Sequence, residues 1–176
     1  MIIKKFKSYF KNGSGVAAME SVFIFPVLMM LIFGVVDIGA AILINTKVIT
    51  ATQTASDLLT RNNILDNTDI AEATMAAQAA LVPFYEAADF GIDIAGIRFI
   101  GEEAVPTEIW RETSNMDPNL DAFNRTECLG MEGDGLIIVT VEYSYAPRFS
   151  AFITGDRVLR ETSFARGRDS AFVAFE

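Results

Sequence analysis

The chain is predicted to have an α+β fold, in which a single N-terminal transmembrane helix extends into a small extracytoplasmic domain with an antiparallel sheet. Three observations lead there. One long run near the N-terminus is almost wholly apolar. Charge is split sharply, with a basic head before that run and an acidic body after it. Beyond the run, helix-period segments come first and alternating, β-branched segments follow, which is the order of an α+β plan rather than of a parallel α/β sheet.

Length and composition narrow the function classes. At 176 residues there is room for one membrane segment and one small folded domain. Residues 1–15 hold four lysines (Lys4, Lys5, Lys7, Lys11) and no acid, and the remainder carries −13, for a net charge of −9. So short a cationic stretch beside an apolar run does not indicate nucleic-acid binding. It does indicate topology, because lysines flanking a span favour the cytoplasmic side and leave the acidic body outside. With one cysteine, Cys128, no intrachain disulfide can form, and the outer domain must hold by packing. A chain with no histidine and that one cysteine builds neither a zinc site nor a Ser-His or Cys-His pair. Nothing groups the acids into a catalytic pair, so no enzyme activity and no cofactor or metal is expected.

Ser21 to Ile44 reads SVFIFPVLMMLIFGVVDIGAAILI, 24 residues with one charge. As a helix that run reaches about 36 Å, enough to cross a hydrocarbon core of about 30 Å. A secretory signal peptide is the main competitor, with Gly39-Ala40-Ala41 as its cut site. The run continues through Ile42, Leu43 and Ile44, however, and Glu20 precedes the apolar core, so retention is expected. Pro26 removes the helical partner of the Val22 carbonyl and predicts a kink or a locally open turn. Asp37, an intramembrane polar residue, lies about 10 Å inside the outer end of the run. Two readings of it stay open: it leans out to the interface or is protonated, or it meets a polar group on a neighbouring transmembrane helix.

Val48, Ala51, Thr52, Ala55, Leu58 and Leu59 recur at three- and four-residue spacing, so the helix is predicted to continue past the membrane and to stop near Asn62-Asn63. The expected divisions are residues 1–15, a basic cytoplasmic leader; 16–47, the membrane-spanning helix; and 48–176, the extracytoplasmic domain. A second helix begins at Asp66 or Thr68, with Asp69 and Glu72 in its first turn. It buries Ile70, Ala73, Ala77, Ala80 and Leu81 and ends before Pro83. Four strands follow: 91–100, with Gly96 as a bulge; 105–113, with Trp110 on one face; 135–145, with Tyr143 and Tyr145 on a common face; and 158–168. Between the second and third of these strands, residues 114–134 are polar and rich in turn formers, which predicts a surface loop. Asp117, Asn119 and Asp121 open like a calcium loop, but Ala122 and Cys128 stand where its glycine and glutamate belong. Glu132-Gly133-Asp134-Gly135 is expected to form a tight turn.

Gly15-Val16-Ala17-Ala18-Met19-Glu20, with lysines before it and the apolar run after it, resembles the processing site of type IV pilins and pseudopilins. Continued through Glu20, Pro26, Phe33-Gly34 and Asp37-Ile38-Gly39, the segment is similar to the TadE/TadG-like pseudopilin family of tight-adherence (Flp-type) pilus systems. An acidic start, a mid-span proline and an F-G-x-x-[ED]-x-G ending recur in that family. Val139 to Pro147, with its Tyr143-Ser144-Tyr145-Ala146-Pro147 turn, and Leu159 to Ser163 resemble the family's C-terminal strands. The resemblance implies a pilin-like fold in the bacterial inner membrane, with the N-terminus cytoplasmic and the domain periplasmic. It implies cleavage by a prepilin peptidase between Gly15 and Val16, and partnership with the lipid bilayer and with other pilin or pseudopilin subunits. A glycine there gives a protease the open, extended chain it needs. The cut leaves an α-amine on Val16, substantially cationic at neutral pH. Glu20 lies one turn further on, placed to meet that amine on an adjacent subunit and set register during assembly. The alternative is an uncleaved bitopic anchor or scaffold that contacts secretion or envelope components.

Overall fold

The computed structural model describes residues 14–62, 64–127, 129–149, 155–167 and 174–175, with side chains from Ala18 onward. The four leader lysines, Gly13, Cys128 and the Arg168 end of the last predicted strand lie outside the described residues.

Helix α1, Ser14–Leu59, is one unbroken element of 46 residues, about 69 Å long. It passes through Pro26 without interruption. Its upper part carries the expected stripe: Val48, Ala51, Thr52, Ala55 and Leu59 are buried, and Leu58 is partly so. The stripe begins earlier than the sequence suggests. Ile44 is buried, Ala40 and Ala41 pack against the same core, and Asp37 is only 4% exposed. Helix α1 therefore starts to pack against the folded domain well inside the apolar run.

The chain turns through strand β1 (Ile64–Leu65) into α2 (Asn67–Ala80). Asp66 caps α2 with a carboxylate that accepts the amides of Thr68 and Asp69, while Asp69 reaches back to the Asp66 amide in a reciprocal box. Ala73, Ala77 and Leu81 are buried against α1, and the alanines permit close approach of the two helices.

The sheet is antiparallel, in the order β3-β2-β4-β5, from β2 (Phe90–Ile100), β3 (Val105–Ser114), β4 (Gly135–Tyr145) and β5 (Arg157–Ala165). The register of β2 against β3 shifts between Gly96 and Ile97, the predicted bulge. Gly96 is required there, because a Cβ would fall 2.2 Å from Nε1 of Trp110 on the neighbouring strand. A short parallel pair, β1 with β6 (Ala174–Phe175), brings Phe175 onto Trp110 with ring centroids 5.2 Å apart. The turn before β4 forms as expected, with Gly133 at φ +86° and the Asp134 amide bonded to the Met131 carbonyl.

Both faces of the sheet are covered. Phe90, Ile92, Ile94, Ile137, Val139, Val141, Tyr143 and Tyr145 meet α1 and α2. On the other face Ala95, Ile97, Phe99, Leu136 and Ile138 form a second cluster with Ala122 of helix α3 (Leu120–Asn124), and Gly130 lies against the Phe99 ring. The polar 114–134 segment is thus not simply a surface loop, since part of it forms a second cover. It is held by a row of polar side chains crossing all four strands. Thr113, Asp93, Thr140 and Thr162 are successive cross-strand partners. The Asp93 side chain is 1% exposed and accepts from Arg111 Nη1 at 2.5 Å, Thr113 Oγ1 at 2.7 Å and the Asn119 amide at 2.9 Å. Asn119 donates through Nδ2 to Thr140 and Thr162, and its own Oδ1 caps α3 at the Ala122 amide.

A buried carboxylate with three donors is strongly favoured only while all three remain, and its removal strands those with no second acceptor. Asp93→Ala is expected to lower domain stability by about 3 kcal/mol, because Arg111 keeps Glu108 as a partner while Thr113 and the Asn119 amide lose theirs. Urea unfolding of the detergent-solubilised full chain checks this, with Asp93→Asn expected to fall between the variant and the wild type.

Candidate functional site

The apolar half of α1 projects beyond the domain. From Ala18 to Val36 every residue is exposed except the partly buried Met29 and Gly34. The exposed side chains include Phe23 at 72% and Val35 at 71%. This stretch is about 28 Å long, close to the thickness of a hydrocarbon core. It is the one helix among the described residues long and apolar enough to cross a membrane.

Three of the residues singled out in the sequence lie at its lower end. Gly15 and Val16 fall in the first turn of α1, which begins at Ser14, so the chain at the expected cut is helical rather than extended. Glu20 is exposed, one turn beyond Val16. Among the described residues nothing holds its carboxylate.

Asp37 is placed differently. It does not face outward; it is buried against the chain's own domain. The strand β4 ends at Tyr145, whose hydroxyl donates to the Asp37 carbonyl at 3.3 Å. Pro147 is buried, and the next two backbone amides close on the carboxylate: Arg148 N–H to Oδ1 at 3.2 Å and Phe149 N–H to Oδ2 at 3.0 Å. One helical turn below, the Phe33 ring stacks on Phe149, with centroids 4.5 Å apart and planes 11° from parallel. Positions 33 and 37 share a helix face, so both contacts are made by the same stripe that continues upward through Ile44 and Val48. At the other end of the motif the Tyr143 hydroxyl donates to the Phe84 carbonyl beyond α2. Burial is the main cause that raises the hydroxyl pKa of Tyr143 and Tyr145, with the acids Asp89 and Asp37 adding to it respectively, so both hydroxyls remain donors at neutral pH. Neither open reading of Asp37 anticipated an intrachain partner, because its partners lie 111 and 112 residues away. The one available signal was that an unusual acid in the helix and a Tyr-x-Tyr-x-Pro strand end both demand polar partners.

Elsewhere a groove of about 280 Å³ lies between α3 and β5, lined by Asn119, Asp121, Arg125, Arg160 and Glu161 among others. Its acids and bases are mixed, and Arg160 is already paired with Glu142. Among the described residues no group of three or more Cys, Asp or Glu side chains is placed to hold a metal.

A helix that packs along an antiparallel sheet and then runs on as a bare apolar rod defines an α+β protein with one candidate membrane span. Residues 15–57 match the family model described as TadE-like protein, and that is the family which the segment around Glu20 and Asp37 resembles. The matched segment begins at Gly15 and ends two residues short of the end of α1. No curated protein and no solved structure matches the chain.

Asp37→Ala removes the acceptor for two backbone amides and is expected to detach the end of β4 from α1. Hydrogen exchange should show the Arg148 and Phe149 amides exchanging about 10- to 100-fold faster, equivalent to a loss of about 1.4–2.8 kcal/mol. Amides in the middle of β4 should change little. Unchanged exchange at residues 148 and 149 would refute the contact.

Proposed function

We propose that this protein is a minor pseudopilin of a bacterial tight-adherence pilus or a related type II-like secretion system, processed after Gly15 and supporting pilus assembly and adherence. The match of residues 15–57 to the TadE-like family carries this reading, since it covers the glycine, the glutamate, the apolar run and Asp37 in one segment. In this reading α1 sits in the inner membrane, with its lysine leader cytoplasmic and its sheet domain periplasmic. The chain acts through contacts and performs no catalysis of its own. Prepilin peptidase removes residues 1–15, and the new Val16 amine and the Glu20 carboxylate of adjacent subunits then pair. In a low-dielectric layer a misregistered, unpaired Glu20 carries a penalty of several kcal/mol, which makes its charge a register device.

One observation favours an alternative. The Gly15–Val16 bond lies within helix α1, and a peptidase needs that first turn unwound. If the turn stays closed, the protein is an uncleaved bitopic anchor that contacts secretion or envelope components.

The intact mass of membrane-extracted protein separates the two. A mass lacking residues 1–15 is expected, and a full-length chain would sink the processing step while leaving the anchor. Glu20→Ala is expected to be processed like the wild type yet to abolish assembly of surface pili. Normal piliation in that strain, scored by electron microscopy of sheared filaments, would remove the register role.

A further inference from the structure

The depth of Phe149 can be counted along α1. If the hydrocarbon begins just after the exposed charge of Glu20, the ~20 residues that span it reach Ala40. If it begins where the helix does, at Ser14, they reach Phe33. By either count the Phe33 level lies at or below the upper edge of the hydrocarbon, and Phe149 is stacked directly on Phe33. The helix around and above that level is apolar on its other faces: Val35, Val36, Ile38, Ile42 and Leu43 are all at least half exposed. The end of β4 therefore descends beside α1 to membrane depth.

Irregular backbone at such depth is normally excluded, because its amides have no water to bond. Here the exception is provided for. The Arg148 and Phe149 amides are satisfied by the Asp37 carboxylate, one on each oxygen. Phe149 remains 46% exposed after stacking on Phe33, and the open part of its ring continues the apolar surface of α1. The neighbouring Arg148 is exposed, and its long side chain can reach upward to phosphate while its stem stays among apolar groups.

We propose that Pro147–Phe149 is a second membrane contact: it enters the outer leaflet beside α1, with Phe149 in the hydrocarbon and the Arg148 guanidinium at the lipid phosphates. The partner is the bilayer itself. The proposal rests on α1 spanning a membrane and is independent of cleavage at Gly15 and of assembly into a pilus.

The test uses the full chain in phosphatidylcholine–phosphatidylglycerol vesicles with lipids brominated on the acyl chain. Trp110→Phe leaves the protein without tryptophan. On that background Phe149→Trp reports on the proposed contact and Phe23→Trp reports on the span. Both emissions should be quenched, with Phe149→Trp showing roughly half or more of the quenching at residue 23. Quenching at residue 23 with none at 149, where soluble acrylamide quenches instead, would overturn the second contact and leave the span standing. No quenching at either position would overturn both. Photolabelling of the unaltered protein with carbene-forming lipids gives the same decision without a variant. Adducts on Phe149 as well as α1 are expected, and adducts on α1 alone would refute the contact.

Discussion

The Asp37 carboxylate joins the two halves of the molecule. Below it α1 is exposed and apolar; above it the same helix is one wall of the domain core. An acid in that position would ordinarily carry a heavy desolvation penalty. Two consecutive backbone amides from the end of β4 supply what water would have supplied, and a tyrosine hydroxyl from the same strand bonds the carbonyl of the same residue. The pairing ties strand end to helix, because the two amides lose their acceptor if the carboxylate leaves. The helix–sheet interface is thereby fixed at its lower end, and the packing stripe through Ile44, Val48, Ala51, Ala55 and Leu59 is held in one register on the strands above.

A second group of polar contacts plays the corresponding part across the sheet. The row Thr113–Asp93–Thr140–Thr162 crosses the face turned away from α1, and Asn119 ties α3 onto it. A small sheet with one helical layer would leave that face wet. The buried acid anchors Asn119, and with it a helix of five residues that covers part of the face.

The elements governed by periodicity were legible in the sequence. The β-branched run of β4 begins and ends where it was expected, and the alanine face of α2 is the face it buries. The long-range polar contacts were not legible. Asn119 sits in a stretch whose composition says loop, and only its distance from Asp93 in the folded sheet makes it a buried cap. The β1–β6 pair is two residues long on each side, too short for any alternating pattern. At Asp37 the acid itself was conspicuous, but its partners are main-chain amides, which no side-chain pattern announces. Phe33 to Gly39 and the end of β4 after Tyr143 prove to be the two sides of one contact. The family match itself stops at residue 57 and reaches only the helical side.

Because α1 runs from Ser14 to Leu59 as a single α-helix, no loop separates its bare half from the half that packs on the sheet. Any neighbour that grips the bare rod fixes its azimuth, and the sheet must turn with it like a flag on a pole. Contacts along the rod thus dictate which side of the domain a neighbour meets. A torque applied to the head is carried down the same helix to the apolar rod.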